Sequence, residues 1–258
     1  MTQPNFISFM KKIFFLLLFI YPILSKGQIK SCDECWTKFN QNGYTEALHC
    51  FSESIQQLKK FDICRYYGRA YSYYKLLKYE EAKRDIDTAI AKYNPARDSK
   101  STMGNMYFLL ARINSKEDQK EIELKNLYKS LGYAETAELF TTIAYALGQI
   151  KEYEKAVHFA TRAIAMDTNA AFAYSNRALA YIMLEKYDEA MQDLERSIDL
   201  NQDNPYAYKH RGILFLKTGH KAAACEEFNE AIRKGYRDFG NEADKGEVDF
   251  LIKENCGL

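Results

Sequence analysis

Small residues, large apolar residues and charged turns recur along the second half of the chain at a spacing that does not drift. With Ala171 to Asn204 as the reference block, related blocks begin at Ala137 and Pro205, 34 residues away in each direction. Small residues fall in columns: Ala144, Ala178 and Gly212, then Ala156, Ala190 and Ala224, then Ala163, Ser197 and Ala231. Leu147, Tyr181 and Phe215 form a large apolar column early in each block, and Leu194 and Phe228 recur late. Helices approach closely only where side chains are small, so each block predicts two amphipathic helices packed antiparallel. Their turns carry Lys151-Glu152-Tyr153-Glu154, Lys186-Tyr187-Asp188-Glu189 and Gly219-His220-Lys221.

The same pattern extends towards the N-terminus. A divergent unit spans 28–62, with Asn42-Gly43-Tyr44-Thr45-Glu46-Ala47 as its turn and Phe51 where the reference block has Leu194. A regular unit spans 63–96, with Ala70, Tyr73, Ala82, Ile86 and Ala89 in register, and Asn94-Pro95 closes it because the residue before proline leaves helical geometry. The unit at 97–136 is irregular: 74 residues separate Ile63 from Ala137, two repeats plus six. Its helices are expected over Ser101 to Asn114 and Asp118 to Leu131, with Glu121 or Ile122 where alanine belongs. Regular units follow at 137–170, 171–204 and 205–238. Residues 239–258 hold a closing helix, Asn241 to Asn255, whose Val248, Leu251 and Ile252 share a face and cover the last unit.

The block resembles the tetratricopeptide repeat, whose 34-residue pattern has small residues at these spacings, an aromatic before the second helix and a helix-opening proline where Pro205 stands. The resemblance covers nearly the whole chain after residue 27. It implies an all-α tetratricopeptide-repeat solenoid of about six helix-turn-helix units with a C-terminal capping helix. It says much less about function, which lies in the site and not in the fold.

Composition agrees with a folded helical chain: 4 Pro, 12 Gly and 47% hydrophobic residues in 258. The first 27 residues read as an export signal, with Lys11-Lys12, an apolar run from Ile13 to Leu24, and Ser25-Lys26-Gly27 before Gln28. That places the protein in a periplasmic or secreted location; the alternative is an uncleaved membrane anchor over 13–24. The segment holds three of the 36 basic residues and no acid, so the rest, with 35 acids, has a net charge of −2. A near-neutral chain has no general electrostatic claim on nucleic acid.

Six cysteines in an exported chain invite disulfides, for which sequence allows 15 pairings. Cys225 with Cys256 would tie the last repeat to the cap; two buried free thiols are the alternative. Cys32-Asp33-Glu34-Cys35 has the spacing of redox and metal motifs, but no βαβ context surrounds it and no second close pair completes a zinc site with Cys50 and Cys64. His49, His158, His210 and His220 form no ligand pair at helical spacing, and no nucleophile elbow or phosphate-cradling loop is present in the sequence. No catalytic residue, cofactor, metal or small-molecule substrate is expected.

In the family the first helices line a concave groove that holds a peptide or partner helix. On that line helical spacing puts Trp36 and Phe39; Tyr67, Tyr71 and Tyr74; Tyr145; Phe172; and Tyr206 with Ile213 and Leu216. The two N-terminal units carry most of these rings and are expected to hold the principal site. Some members grip a C-terminal carboxylate with Lys, Arg and Asn from these helices. Here Asn176 and Lys209 occupy such positions, but the others hold Cys32, Trp36, Gly68, Tyr71, Tyr206 and His210, so the clamp is not supported. The expected function is a non-enzymatic protein-interaction scaffold outside the cytoplasm that binds a protein or peptide. The alternatives are a thiol or metal-dependent redox factor using Cys32 and Cys35, and a membrane-tethered assembly factor.

Overall fold

The computed structural model describes residues 30–58, 60–238 and 242–257. The expected export signal therefore lies outside the described residues. Among the described residues thirteen α-helices follow one another, the first twelve in antiparallel pairs: α1 Cys32–Asn40 with α2 Tyr44–Gln57, α3 Ile63–Lys75 with α4 Tyr79–Lys92, and α5 Lys100–Lys116 with α6 Lys120–Leu131. Then come α7 Ala137–Gln149 with α8 Tyr153–Met166, α9 Ala171–Met183 with α10 Tyr187–Leu200, and α11 Pro205–Lys217 with α12 Lys221–Arg233. A 3-10 turn, Tyr236–Asp238, leads to the closing helix α13, Glu242–Asn255. No strand occurs among the described residues, and no described helix is long and apolar enough to cross a membrane.

The two helices of each pair start by different devices. Most first helices open on a side-chain cap: Ser31, Asp62, Ser99, Thr136 and Asn204 each accept a backbone N–H of the first turn. The second helices have no such cap and are aimed by the turn before them. In every turn one residue sits in left-handed geometry, Asn42, Leu77, Asp118, Lys151, Glu185 or Gly219. The next N–H then reaches back to a carbonyl of the first helix, as from Lys78 to Tyr73 at 2.9 Å and from Lys186 to Tyr181 at 2.9 Å. A fixed turn gives a fixed angle between helices.

The small-residue columns lie where the helices meet: Ala144, Ala178 and Gly212, and Ala156, Ala190 and Ala224, are all buried. Between the helices of a unit runs a recurring polar rung. Arg69 grips Asp85 through two hydrogen bonds of 2.7 and 2.6 Å, and Arg177 grips Asp193 through two of 2.7 and 2.8 Å. In the sixth unit Arg211 meets Glu227 by a single contact of 2.8 Å, which leaves Arg211 Nε and Glu227 Oε2 without partners. The fourth unit replaces the rung with Ile143 and Phe159, members of one apolar cluster.

The third unit absorbs the six additional residues in several places. Compared with its regular neighbours, α5 is longer by four residues, the loop before it by three and the loop after α6 by one, while α6 is shorter by two. The alanine position is filled by Glu123, only 4% exposed, and not by Glu121 or Ile122, which are exposed. Beside it Asn126 donates to Asn114 at 3.0 Å, and Asn114 donates to Gln119 at 2.8 Å. A polar seam here takes the place of the apolar one.

Candidate functional site

First helices meet along the array, α3 with α5, α7 with α9 and α9 with α11, and α5 joins α7 in walling a common groove. A hollow of about 760 Å³ runs over the third to sixth units, walled by Phe108 and Arg112 of α5, Thr141 and Tyr145 of α7, Phe172 and Asn176 of α9 and Tyr206 of α11. A smaller hollow of about 190 Å³ continues it to Tyr67 and Tyr71 of α3, sharing Phe108, Arg112 and Glu138. Tyr145 and Phe172 both meet the Tyr206 ring nearly at right angles, with centroids 6.2 and 6.3 Å away. Asn176 donates to the Thr141 carbonyl at 3.2 Å, which ties α9 to α7 beneath the hollow.

Five of the aromatic residues expected on the inward line therefore do line the groove: Tyr67, Tyr71, Tyr145, Phe172 and Tyr206. Others do not. Phe39 and Tyr74 are 7% and 8% exposed, and Lys209 is 3% exposed, so none of the three is available to a partner. Phe39 packs on Tyr44 and Tyr71 at 5.1 and 4.9 Å, and Tyr74 packs on Tyr79 at 5.9 Å. Trp36 stands half-buried among Phe39, Phe51, Tyr67 and Tyr71, its centroid distances 5.1 to 6.3 Å. The N-terminal rings are thus chiefly a stack that joins the first two units, and the groove is centred further along the chain.

Lys209 is held inside by the cap. Its Nζ donates to the Tyr236 hydroxyl at 3.0 Å and pairs with Glu247 at 2.6 Å, which fastens α11 to α13. Its neighbour His210 is fully enclosed, with Nδ1 2.9 Å from the Ser175 carbonyl. Burial, and then the Lys209 charge, push the His210 pKa well below the usual imidazole range, so the ring is neutral. Asn204 completes this buried seam, donating to Ser197 Oγ at 2.9 Å and Ser175 Oγ at 3.3 Å.

Arg112, which the sequence did not single out, closes the N-terminal end of the main hollow. Its guanidinium lies 5.2 Å from the Tyr74 ring centre and 3.4 Å from the Tyr71 hydroxyl. Burial works against the charge, but Tyr74, Tyr71 and Glu138 sustain it and the pKa is raised. Burial, with Tyr71 close by, drives the Tyr67 phenol well above its usual range. The register of α5 could have revealed these residues: aligned from its C-terminal end, Phe108 falls opposite Tyr67, and Arg112 opposite Tyr71 and Tyr145.

The cysteines are all paired, Cys32 with Cys64, Cys35 with Cys50 and Cys225 with Cys256, at Cα separations of 6.4, 5.5 and 5.8 Å. Cys32 and Cys35 bond to different partners, which corrects the redox reading: their C-x-x-C spacing is not a dithiol pair. The four N-terminal cysteines likewise offer no thiolates to a zinc ion. No group of side chains suited to a metal ion occurs among the described residues.

The model of the tetratricopeptide repeat family matches residues 171–204. No curated protein matches the chain in sequence. Among solved structures the chain is similar to the APC/C hetero-tetramer Cut9-Hcn1, with TM-score 0.67 and 16% identity over 90% of this chain and 44% of that one. It thus spans less than half of that relative's length. It is also similar to the C-terminal part of a tetratricopeptide-repeat protein from Cytophaga hutchinsonii, with TM-score 0.59 and 18% identity over 88% of each chain. A third likeness is to YrrB, a tetratricopeptide-repeat protein with an unusual peptide-binding site, at TM-score 0.55 and 16% identity over 79% of this chain and 97% of that one. At these identities the likeness concerns the fold. Residues 171–204 thus match the tetratricopeptide-repeat model, and the array as a whole shares the fold of these tetratricopeptide-repeat structures.

Proposed function

We propose that the protein is an exported, non-enzymatic scaffold that holds an extended segment of a partner protein in the concave groove of its third to sixth units. One observation carries the reading: a hollow of about 760 Å³ walled by Tyr145, Phe172 and Tyr206, with polar groups such as Asn176 and Thr141 among the rings. Aromatic walls supply contact area from rigid side chains, and scattered polar groups orient the guest. YrrB, a protein of like fold, binds peptide. Export is supported by the three disulfides, since such bonds persist in oxidising compartments, and by the short apolar run after Lys11-Lys12.

A photo-crosslinking residue placed at Phe172, compared with one at Leu77 on an exposed turn, tests the groove. Partner adducts are expected at position 172 and not at 77; adducts at 77 alone would overturn the reading. Export is tested by determining the N-terminus of the protein recovered from its cell envelope or medium. An intact Met1 would refute a cleaved signal.

A further inference from the structure

The groove is not electrically neutral along its length. Arg112, the cation that lines it, is turned to the Tyr71 hydroxyl and the Tyr74 ring at the N-terminal end. The acids Glu138 and Asp167 lie on the wall of the main hollow, both exposed; Glu138 helps sustain the Arg112 charge, Asp167 Oδ1 accepts the Asn169 N–H at 2.9 Å, and no salt bridge holds either carboxylate among the described residues. Tyr145, Phe172 and Tyr206 line the same hollow, and Tyr145 and Phe172 each meet the Tyr206 ring edge to face. Rings that wall a corner from several sides offer their negative faces to a cation, and acids at the rim add attraction that a neutral guest cannot use.

We propose that the corner formed by Tyr145, Phe172 and Tyr206 receives a lysine or arginine side chain of an extended peptide, with Asp167 and Glu138 supplying the counter-charge. The inference rests on the groove reading above and adds the chemistry of the guest. An apolar side chain gains the ring contacts but nothing from the acids, and an acidic one is repelled by them. Five first helices at about 9 Å spacing make a wall of roughly 36 Å, which an extended segment of about ten residues covers.

Selection from a displayed library of randomised decapeptides, run on the purified parent chain, tests this directly. Parent-selected peptides are expected to be enriched about fivefold in Lys or Arg at one position. Asp167→Asn with Glu138→Gln should lower that enrichment while the circular dichroism spectrum stays unchanged. Phe172→Ala should abolish selection altogether. Peptides that depend on Phe172 but carry no basic position would overturn the cation preference and leave the groove reading standing. Absence of any Phe172-dependent selection would overturn both.

Discussion

Gly68 and Gly148 both lie in first helices, yet the same change to alanine should move stability in opposite directions. A Cβ built on Gly68 would stand 2.2, 2.5 and 2.6 Å from Cζ, Cε1 and Cε2 of Phe51. Carbon atoms are at ease about 3.5–4.0 Å apart, so the ring must retreat by more than 1 Å, roughly, or α3 must lift off α2. Phe51 has nowhere to go: it is fully buried, with Trp36 5.5 Å away and the Cys35–Cys50 bond in the same cluster. Alanine gains about 1 kcal/mol in helix propensity over glycine, and overpacking a rigid site costs about 1–3 kcal/mol. The clash should win, so Gly68→Ala is expected to lower stability by about 1–2 kcal/mol. At Gly148 a Cβ meets nothing within 4 Å, and the propensity gain of about 0.5–1 kcal/mol should survive. Urea unfolding of both variants beside the parent reads the two signs. Adding Phe51→Leu, the residue type of Leu194 in the reference block, should recover much of the Gly68→Ala loss, a non-additive result. A Gly68→Ala midpoint at or above that of the parent would show that the first two units do not meet through Phe51.

Three further outcomes follow from the same geometry. Because the His210 pKa is lowered in the folded state, the unfolded chain binds the proton more readily; stability is full above about pH 6.5 and falls on acidification by at most about 1.4 kcal/mol per pH unit. Thermal melts from pH 8 to 5 on parent and His210→Gln should show a shallower slope in the variant, and equal slopes would remove His210 as the cause. Leu77 is 72% exposed and left-handed at φ 59°, so Leu77→Gly relieves about 1–2 kcal/mol of backbone strain against a glycine entropy cost of about 0.5–1, and the urea midpoint should rise; a fall would contradict this. The third unit, with Glu123 in the alanine column and both ends of the array stapled by disulfides, should open first; hydrogen exchange over residues 97–136 faster than over 171–204 is expected, and equal protection would refute it.

The solenoid was legible because each unit packs on its neighbours, so a local pattern of small residues decides both the seam and the period. Where the pattern lapses, in the third unit, sequence spacing misplaced the alanine site by one or two residues and hid Arg112. The site was legible only in part, for a reason that the helix itself supplies. Groove residues come in pairs four apart: Tyr67 and Tyr71, Phe108 and Arg112, Thr141 and Tyr145, Phe172 and Asn176. Of the residues expected to bind a partner, the three that turned out to be buried each stand three apart from a ring on the inward line: Phe39 from Trp36, Tyr74 from Tyr71, Lys209 from Tyr206. At 3.6 residues per turn a step of four moves a side chain about 40° round the helix, while a step of three moves it about 60° the other way. That second rotation carries the side chain off the groove and into a seam, with the second helix for Tyr74 and with the cap for Lys209. In α3, α5, α7 and α9 the groove is therefore read from the i, i+4 row, and an aromatic at i+3 belongs to the packing that holds the row in place; in α11 the row stops at Tyr206, because His210 four residues on is enclosed against Ser175.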